Sequence, residues 1–150
     1  MDAIKTEPVD VSYSDGPPIL VAASSDEAMR RAMRTIDSAG WRIGDRMEIG
    51  SAHERIQRQI AATAVWLELD RDCGEPMDQV LDCVSANVSE GRFAAVVSTT
   101  AALIDPVSAR VQDSAVELIV DADDAERTAA LAIAGSALGR GSRRAGFATV

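Results

Sequence analysis

Residues Thr63 to Asp70, TAVWLELD, form a short apolar run that ends abruptly in acid. A strand covered on both faces reads as near-continuous hydrophobics instead of strict alternation, and Ala64, Val65, Trp66, Leu67 and Leu69 follow that pattern. The run is read as the middle strand of a parallel sheet. Glu68 is its one exception, and a lone desolvated carboxylate costs several kcal/mol, so Glu68 must either escape burial or have an arginine or backbone donor within reach. In open α/β sheets the chemistry lies beyond the carboxyl ends of the strands. Asp70 and Asp72, which close the run and open the loop RDCGEPMD, therefore mark where a site is to be sought.

Working outward, Ile19–Ala23 (ILVAA) is a second buried-strand candidate, followed by Ser24 and Glu27 as a capping box and a helix with Ala28, Met29, Ala32, Met33 and Ile36 on one face. Gly40 is placed to stop it. Trp41–Ile49 alternates apolar and polar residues with an interruption at Gly44, as a half-exposed edge strand does. Ser51 and Glu54 read as a second capping box, opening a helix with Ala52, Ile56 and Ile60 inward. After the central strand, Pro76 suits a first helical turn, and Met77, Val80, Leu81, Val84 and Val88 trace an amphipathic helix closed by Gly91. Phe93–Val97 is a fourth strand, Asp105-Pro106 begins a short helix reaching about Gln112, and Val116–Val120 is a fifth strand. An alanine-rich helix then ends near Gly139.

Strands alternating with helices through short loops give a doubly wound α/β sheet over residues 19–139. Residues 1–18, acidic and rich in Pro, Gly and Ser, read as a disordered leader, and residues 140–150, rich in Gly and Arg, as a linker or tail. The net charge of −9 excludes nucleic-acid backbones and anionic membranes as partners of the domain body. No apolar run has the roughly 18 residues that span a bilayer, and the start lacks a signal-peptide pattern, so a cytoplasmic location is expected. Cys73 and Cys83 have no disulfide or zinc spacing and read as reduced thiols.

The order and lengths of these elements resemble the receiver domains of bacterial response regulators, whose flavodoxin-like sheet has five parallel strands in the order 2-1-3-4-5 with helices on both faces. The stretches ALIDPVSARV (102–111) and AERTAALAIA (125–134) carry a similarity to the pseudo-receiver segments that precede a MarR-type winged-helix domain in some bacterial regulators. Receivers hold an acidic pair after strand one, a phosphate-accepting Asp after strand three, a Ser or Thr after strand four and a Lys after strand five. The matching places here are Ser24, Ser25 and Asp26, then Asp70, then Ser98 or Thr99, then Asp121. Asp72 belongs to the same strand-end cluster. The lysine is lost, since the chain's one lysine is Lys5, and Asp121, Asp123 and Asp124 would repel a phosphoryl group where an ammonium ordinarily neutralises it.

The resemblance thus implies a vestigial site and a non-catalytic regulatory and dimerisation module, not an enzyme, that works by protein contact. Its implied partners are a second copy and a C-terminal winged-helix domain or a separate partner protein. The six apolar residues of AALAIA (129–134) leave no polar face for more than a turn, which assigns a pairing face to Ala130, Leu131, Ala134 and Leu138.

Two other classes stand beside this reading. One is an active phospho-receiver using Asp70 with weakly bound magnesium, held by oxygen ligands such as Asp26, Asp70 and Asp72. The other is a small α/β ligand-binding domain or enzyme built on the strand-end polar cluster. No cofactor is called for: neither GxGxxG nor a Walker loop is present, and GRGS (139–142) follows a helix instead of a strand. His53, the sole histidine, has no Ser or Cys partner and reads as surface, and the acids around Cys73 disfavour its thiolate.

Overall fold

The central strand, β3 (Thr63–Glu68), lies between β1 (Ile19–Ala23) and β4 (Phe93–Thr99), and every strand pairing is parallel. A computed structural model describes residues 18–58 and 63–149, with the backbone alone at Thr63 and 137–149. β2 (Ile43–Glu48) and β5 (Glu117–Val120) form the edges, giving the order β2-β1-β3-β4-β5. The fold is the flavodoxin-like doubly wound sheet expected from the sequence. β1 leads outward to β2, and the chain then returns across it to β3. The switch point between β1 and β3 is therefore where a crevice opens at the strand ends.

Two cores follow from the period-two alternation of strand side chains. Ile19, Val21, Ala64, Trp66, Ala94 and Val96 face α1 (Asp26–Ser38) and α5 (Asp124–Thr149). Leu20, Ala22, Val65, Leu67, Ala95 and Val97 face α2 (Ile49–Gln57), α3 (Glu75–Ser89) and α4 (Ile104–Val111). Both faces of β3 are covered, which is why its sequence is apolar at successive positions. The same alternation sends Glu68 to the Trp66 face and Leu69 to the other.

The helices bury the stripes that their spacing predicts: Ala28, Ala32 and Ile36 on α1, with Met29 packed at the margin, and Met77, Val80, Leu81 and Val84 on α3. Gly40 and Gly91, at φ +82 and +76, follow α1 and α3 in the left-handed conformation that ends helices. Gly44 marks a bulge, since Ile19 pairs with Ile43 and Leu20 with Asp45, and a Cβ at residue 44 would stand 2.7 Å from Pro18 Cβ. Among the described residues no helix is long and apolar enough to cross a membrane.

The structure corrects several boundaries. The cap of α1 is Ser25, whose Oγ accepts from the Ala28 amide at 3.0 Å, one residue later than the Ser24 and Glu27 box. α2 begins at Ile49, so Ser51 lies inside its first turn and donates to the Glu48 carbonyl. One 3-10 turn, Ala101–Leu103, precedes α4, and Asp105 falls in the helix instead of capping it. α5 runs past Gly139 to Thr149, through the stretch read as a tail. A glycine costs a helix about 1 kcal/mol against alanine, and no proline is present to forbid continuation among good helix formers such as Arg and Ala. The leader read over residues 1–18 lies, apart from Pro18, outside the described residues.

The pairing face needs a further correction. Ala130, Leu131 and Ala134 are buried at 2%, 0% and 3% exposure, packed against Ile19, Trp66 and Val96 within the chain itself. They form the sheet side of α5 and are not open to a partner; the Leu138 side chain lies outside the described residues. Ala134→Glu is accordingly expected to unfold the domain instead of dissociating a dimer, because it buries an unpaired carboxylate. Circular-dichroism melting should show a loss of more than about 10 °C in Tm, and a wild-type melt would contradict this packing.

Candidate functional site

Two carboxylates leave β3, and the strand sends them into different surroundings. Glu68, on the Trp66 face, is 2% exposed and accepts hydrogen bonds on both oxygens. Oε1 accepts from Trp66 Nε1 at 2.8 Å and Arg127 Nη2 at 2.6 Å. Oε2 accepts from Ser98 Oγ at 2.8 Å, Arg127 Nη1 at 3.1 Å and Arg31 Nη1 at 3.3 Å. Arg127, itself 3% exposed, donates through Nε to Thr35 Oγ1 at 2.9 Å, and its guanidinium carbon lies 5.3 Å from the Trp66 ring centroid. Among the described residues no buried side-chain nitrogen or oxygen lacks a partner. The donor that the sequence demanded for Glu68 is thus present, supplied by α5 with help from α1 and β4.

Arg127 and Thr35 were not singled out in the sequence, although a signal existed. Arg127 sits three, four and seven residues before Ala130, Leu131 and Ala134, on the buried stripe of its helix. Thr35 likewise interrupts the Ala28, Ala32, Ile36 stripe. A polar residue at a core position of a helix, opposite a polar residue at a core position of a strand, is the pattern of a buried pair.

Asp70 lies just past the end of β3 in the switch-point crevice, 15% exposed at its side chain. Ser24 Oγ donates to its Oδ1 at 2.6 Å, and Ser25 Oγ donates to its Oδ2 at 2.8 Å. The same Ser24 oxygen accepts from the Asp70 amide at 2.8 Å, while Ser25 Oγ accepts from the Ala28 amide as the cap of α1. A hydroxyl carries a single proton, so each serine spends its donor on Asp70 and its acceptor on the backbone. Burial pushes the Asp70 pKa up, but the Ser24 and Ser25 hydrogen bonds, with the nearby Arg71 and Arg31 charges, outweigh it and hold the carboxyl below its ordinary value of 3.8.

The remaining candidates do not join this trio as one site. Asp26 is exposed at the first position of α1. Asp72 accepts from the Gly74 amide at 2.8 Å in its own turn. Ser98 belongs to the Glu68 cluster, and Thr99, also buried, donates to the Leu69 carbonyl at 3.2 Å. Asp121 adopts a left-handed φ of +46 and accepts from the Ala101 amide at 3.1 Å. Among the described residues no three His, Cys, Asp or Glu side chains gather closely enough to hold a metal ion. A cleft of about 540 Å³ opens beside the trio, lined by Ser24, Ser25, Asp26, Glu48, Arg71 and Cys73 among others. Burial and then the Asp72 charge push the Cys73 thiol up, against the weaker pull of Arg71, so it stays protonated.

Because its folded pKa is lowered, Asp70 contributes stability that is fully present above its unfolded pKa and is lost as the pH falls through the folded value. Carbon-13 NMR titration should place its carboxyl below 3.8. Ser24→Ala and Ser25→Ala should each raise that pKa, and an unchanged titration in both variants would show that the hydroxyls do not hold the charge. Compared with known proteins, the chain matches no family model, and no curated protein matches it.

Proposed function

We propose that the chain is a receiver-like regulatory and dimerisation module of a bacterial signalling or transcriptional regulator, cytoplasmic, acting by protein contact and performing no catalysis. One observation carries this reading: both oxygens of Asp70, at the phospho-acceptor position, accept hydrogen bonds from Ser24 and Ser25 at 2.6 and 2.8 Å. A receiver has acids in those places, and acids there hold a magnesium ion by charge. Serines supply donors instead, so the site satisfies itself and has less negative charge to attract a cation. At the end of β5, Asp121 stands where the ammonium would be, and it is bonded to the Ala101 amide. Arg71 forms an ion pair with Asp70, with Nε 3.6 Å from Oδ1 and a side chain 65% exposed. That bridge is a surface ion pair, worth little and set to neutralise Asp70 itself.

The module's surfaces then matter more than its crevice. A homodimer and a winged-helix domain or separate partner protein are the contacts proposed for it. The cleft beside Asp70 supports the two competing classes, an active phospho-receiver and a small-ligand domain, but it is open, and Ala23, Met29, Ile49 and Gly50 line it together with its polar groups.

Intact-mass measurement after incubation with magnesium and acetyl phosphate tests the reading. The mass should not change. A phosphoryl gain that disappears in Asp70→Asn would establish an active receiver and overturn it.

A further inference from the structure

Glu68 is met by two arginines, and one carboxylate balances only one of them. Arg127 takes it with a fork, at 2.6 and 3.1 Å, whereas Arg31 reaches Oε2 through Nη1 alone at 3.3 Å. The cluster therefore carries a surplus positive charge, and that charge falls to Arg31, whose side chain is 33% exposed. Among the described residues Arg31 Nε and Nη2 make no hydrogen bond, so most of the guanidinium's donors stay open. Arg31 lines a groove of about 190 Å³ between α1 and α5, together with Arg34, Thr35, Ser38, Asp124 and Thr128.

Helix geometry gathers these groups. Arg31, Arg34, Thr35 and Ser38 recur at i, i+3, i+4 and i+7 on α1, next to its buried stripe, and Asp124 and Thr128 stand one turn apart on α5. The bond from Arg127 Nε to Thr35 Oγ1 ties the two helices there. Thr35 has its proton committed to the Arg31 carbonyl at 3.3 Å. Ser38 donates to the Arg34 carbonyl at 2.7 Å, which leaves its oxygen able to accept. Arg34 and Asp124 are both exposed, and among the described residues neither has an ion-pair partner.

The charged lining is thus two guanidiniums and one carboxylate. A ligand that answers each of them carries two carboxylates and one ammonium. Arginine forks match carboxylates in plane and spacing, and an ammonium can serve both Asp124 and the Ser38 oxygen. Inorganic phosphate would suit the arginines but meet Asp124 with like charge. The volume lies below the ~300–1,000 Å³ of sites for drug-sized molecules, so the ligand is small. We propose that this groove binds an acidic amino acid of the size of aspartate or glutamate, with its carboxylates on Arg31 and Arg34 and its ammonium on Asp124. The groove shares no lining residue with the cleft beside Asp70, and the proposal goes beyond the regulatory reading by giving the module a small-molecule input. The ligand would bridge α1 and α5 beside the bond that already joins them.

Amide NMR titration of the full chain with L-aspartate and L-glutamate, carried to ~10 mM, is the test. At least one of them should give saturable shifts centred on residues 31–38 and 124–128, with a Kd of about 1 mM or below. Arg34→Gln and Asp124→Asn, at exposed positions outside the buried pair, should each weaken that binding by about tenfold or more. Succinate and glutarate, which lack the ammonium, should bind the wild type about tenfold more weakly, and Asp124→Asn should erase that preference. Absence of a saturable shift with both amino acids overturns the proposal. So does wild-type affinity in Asp124→Asn, or binding of succinate or inorganic phosphate as tight as that of aspartate. None of these outcomes bears on whether Asp70 accepts a phosphoryl group, so failure here is distinguishable from failure of the non-catalytic reading.

Discussion

The Glu68 carboxylate, at the end of the central strand and 2% exposed, is held by Arg127 at 2.6 and 3.1 Å, and four elements converge on that pair. β3 contributes Trp66, α1 contributes Thr35 and Arg31, β4 contributes Ser98, and α5 contributes the guanidinium itself. A buried ion pair of this kind adds little net stability over a well-packed apolar pair of the same volume. What it imposes is position. Arg127 has one place where its fork meets both Glu68 oxygens while Nε reaches Thr35, and that place fixes the rotation and height of α5 against the sheet. The buried stripe of Ala130, Leu131 and Ala134 follows from it, and so does the outward stripe that carries Ile133.

Asp70, two residues on, faces the opposite problem. It lies at the rim, needs no salt bridge to survive there, and is satisfied by two hydroxyls from the β1–α1 turn. The register that pairs Ala23 with Glu68 brings Ser24 and Ser25 to it. One strand end thus carries a carboxylate committed to architecture and another capped by serine. Each oxygen of both carboxylates accepts at least one hydrogen bond, from Ser24 and Ser25 for Asp70 and from Trp66, Ser98 and arginines for Glu68. The regulatory reading proposed above draws on that chemistry: the carboxylate just past the central strand is hydrogen-bonded from within the chain.

Much of this was legible in the sequence because the fold depends on simple periodicities. Near-continuous apolar runs at Ile19–Ala23, Thr63–Asp70 and Phe93–Val97 gave the buried strands, and the i, i+3, i+4 stripes of α1 and α3 gave their inward faces. Glu68 announced its need of a partner by being charged in such a run. The partner stayed hidden because Arg127 and Glu68 are far apart in the chain, and long-range pairing has no local signature. Reading AALAIA as apolar all round concealed that Arg127 already fixes which side of α5 faces the sheet. The serine turn was misread by one residue: Ser24 and Ser25 both suit a helix cap, and only the Asp70 position decides which of them caps and which turns to the carboxylate. The end of α5 was misplaced because glycine discourages a helix without forbidding it.

Urea unfolding of Glu68→Leu, Arg127→Met and the double variant tests most directly whether this buried pair governs the architecture. Each single change leaves an uncompensated buried charge and is expected to cost about 3–5 kcal/mol, whereas the double variant should cost far less than the sum, with a coupling of at least ~2 kcal/mol. Additive losses, with the double variant as unstable as the two singles together, would contradict the account.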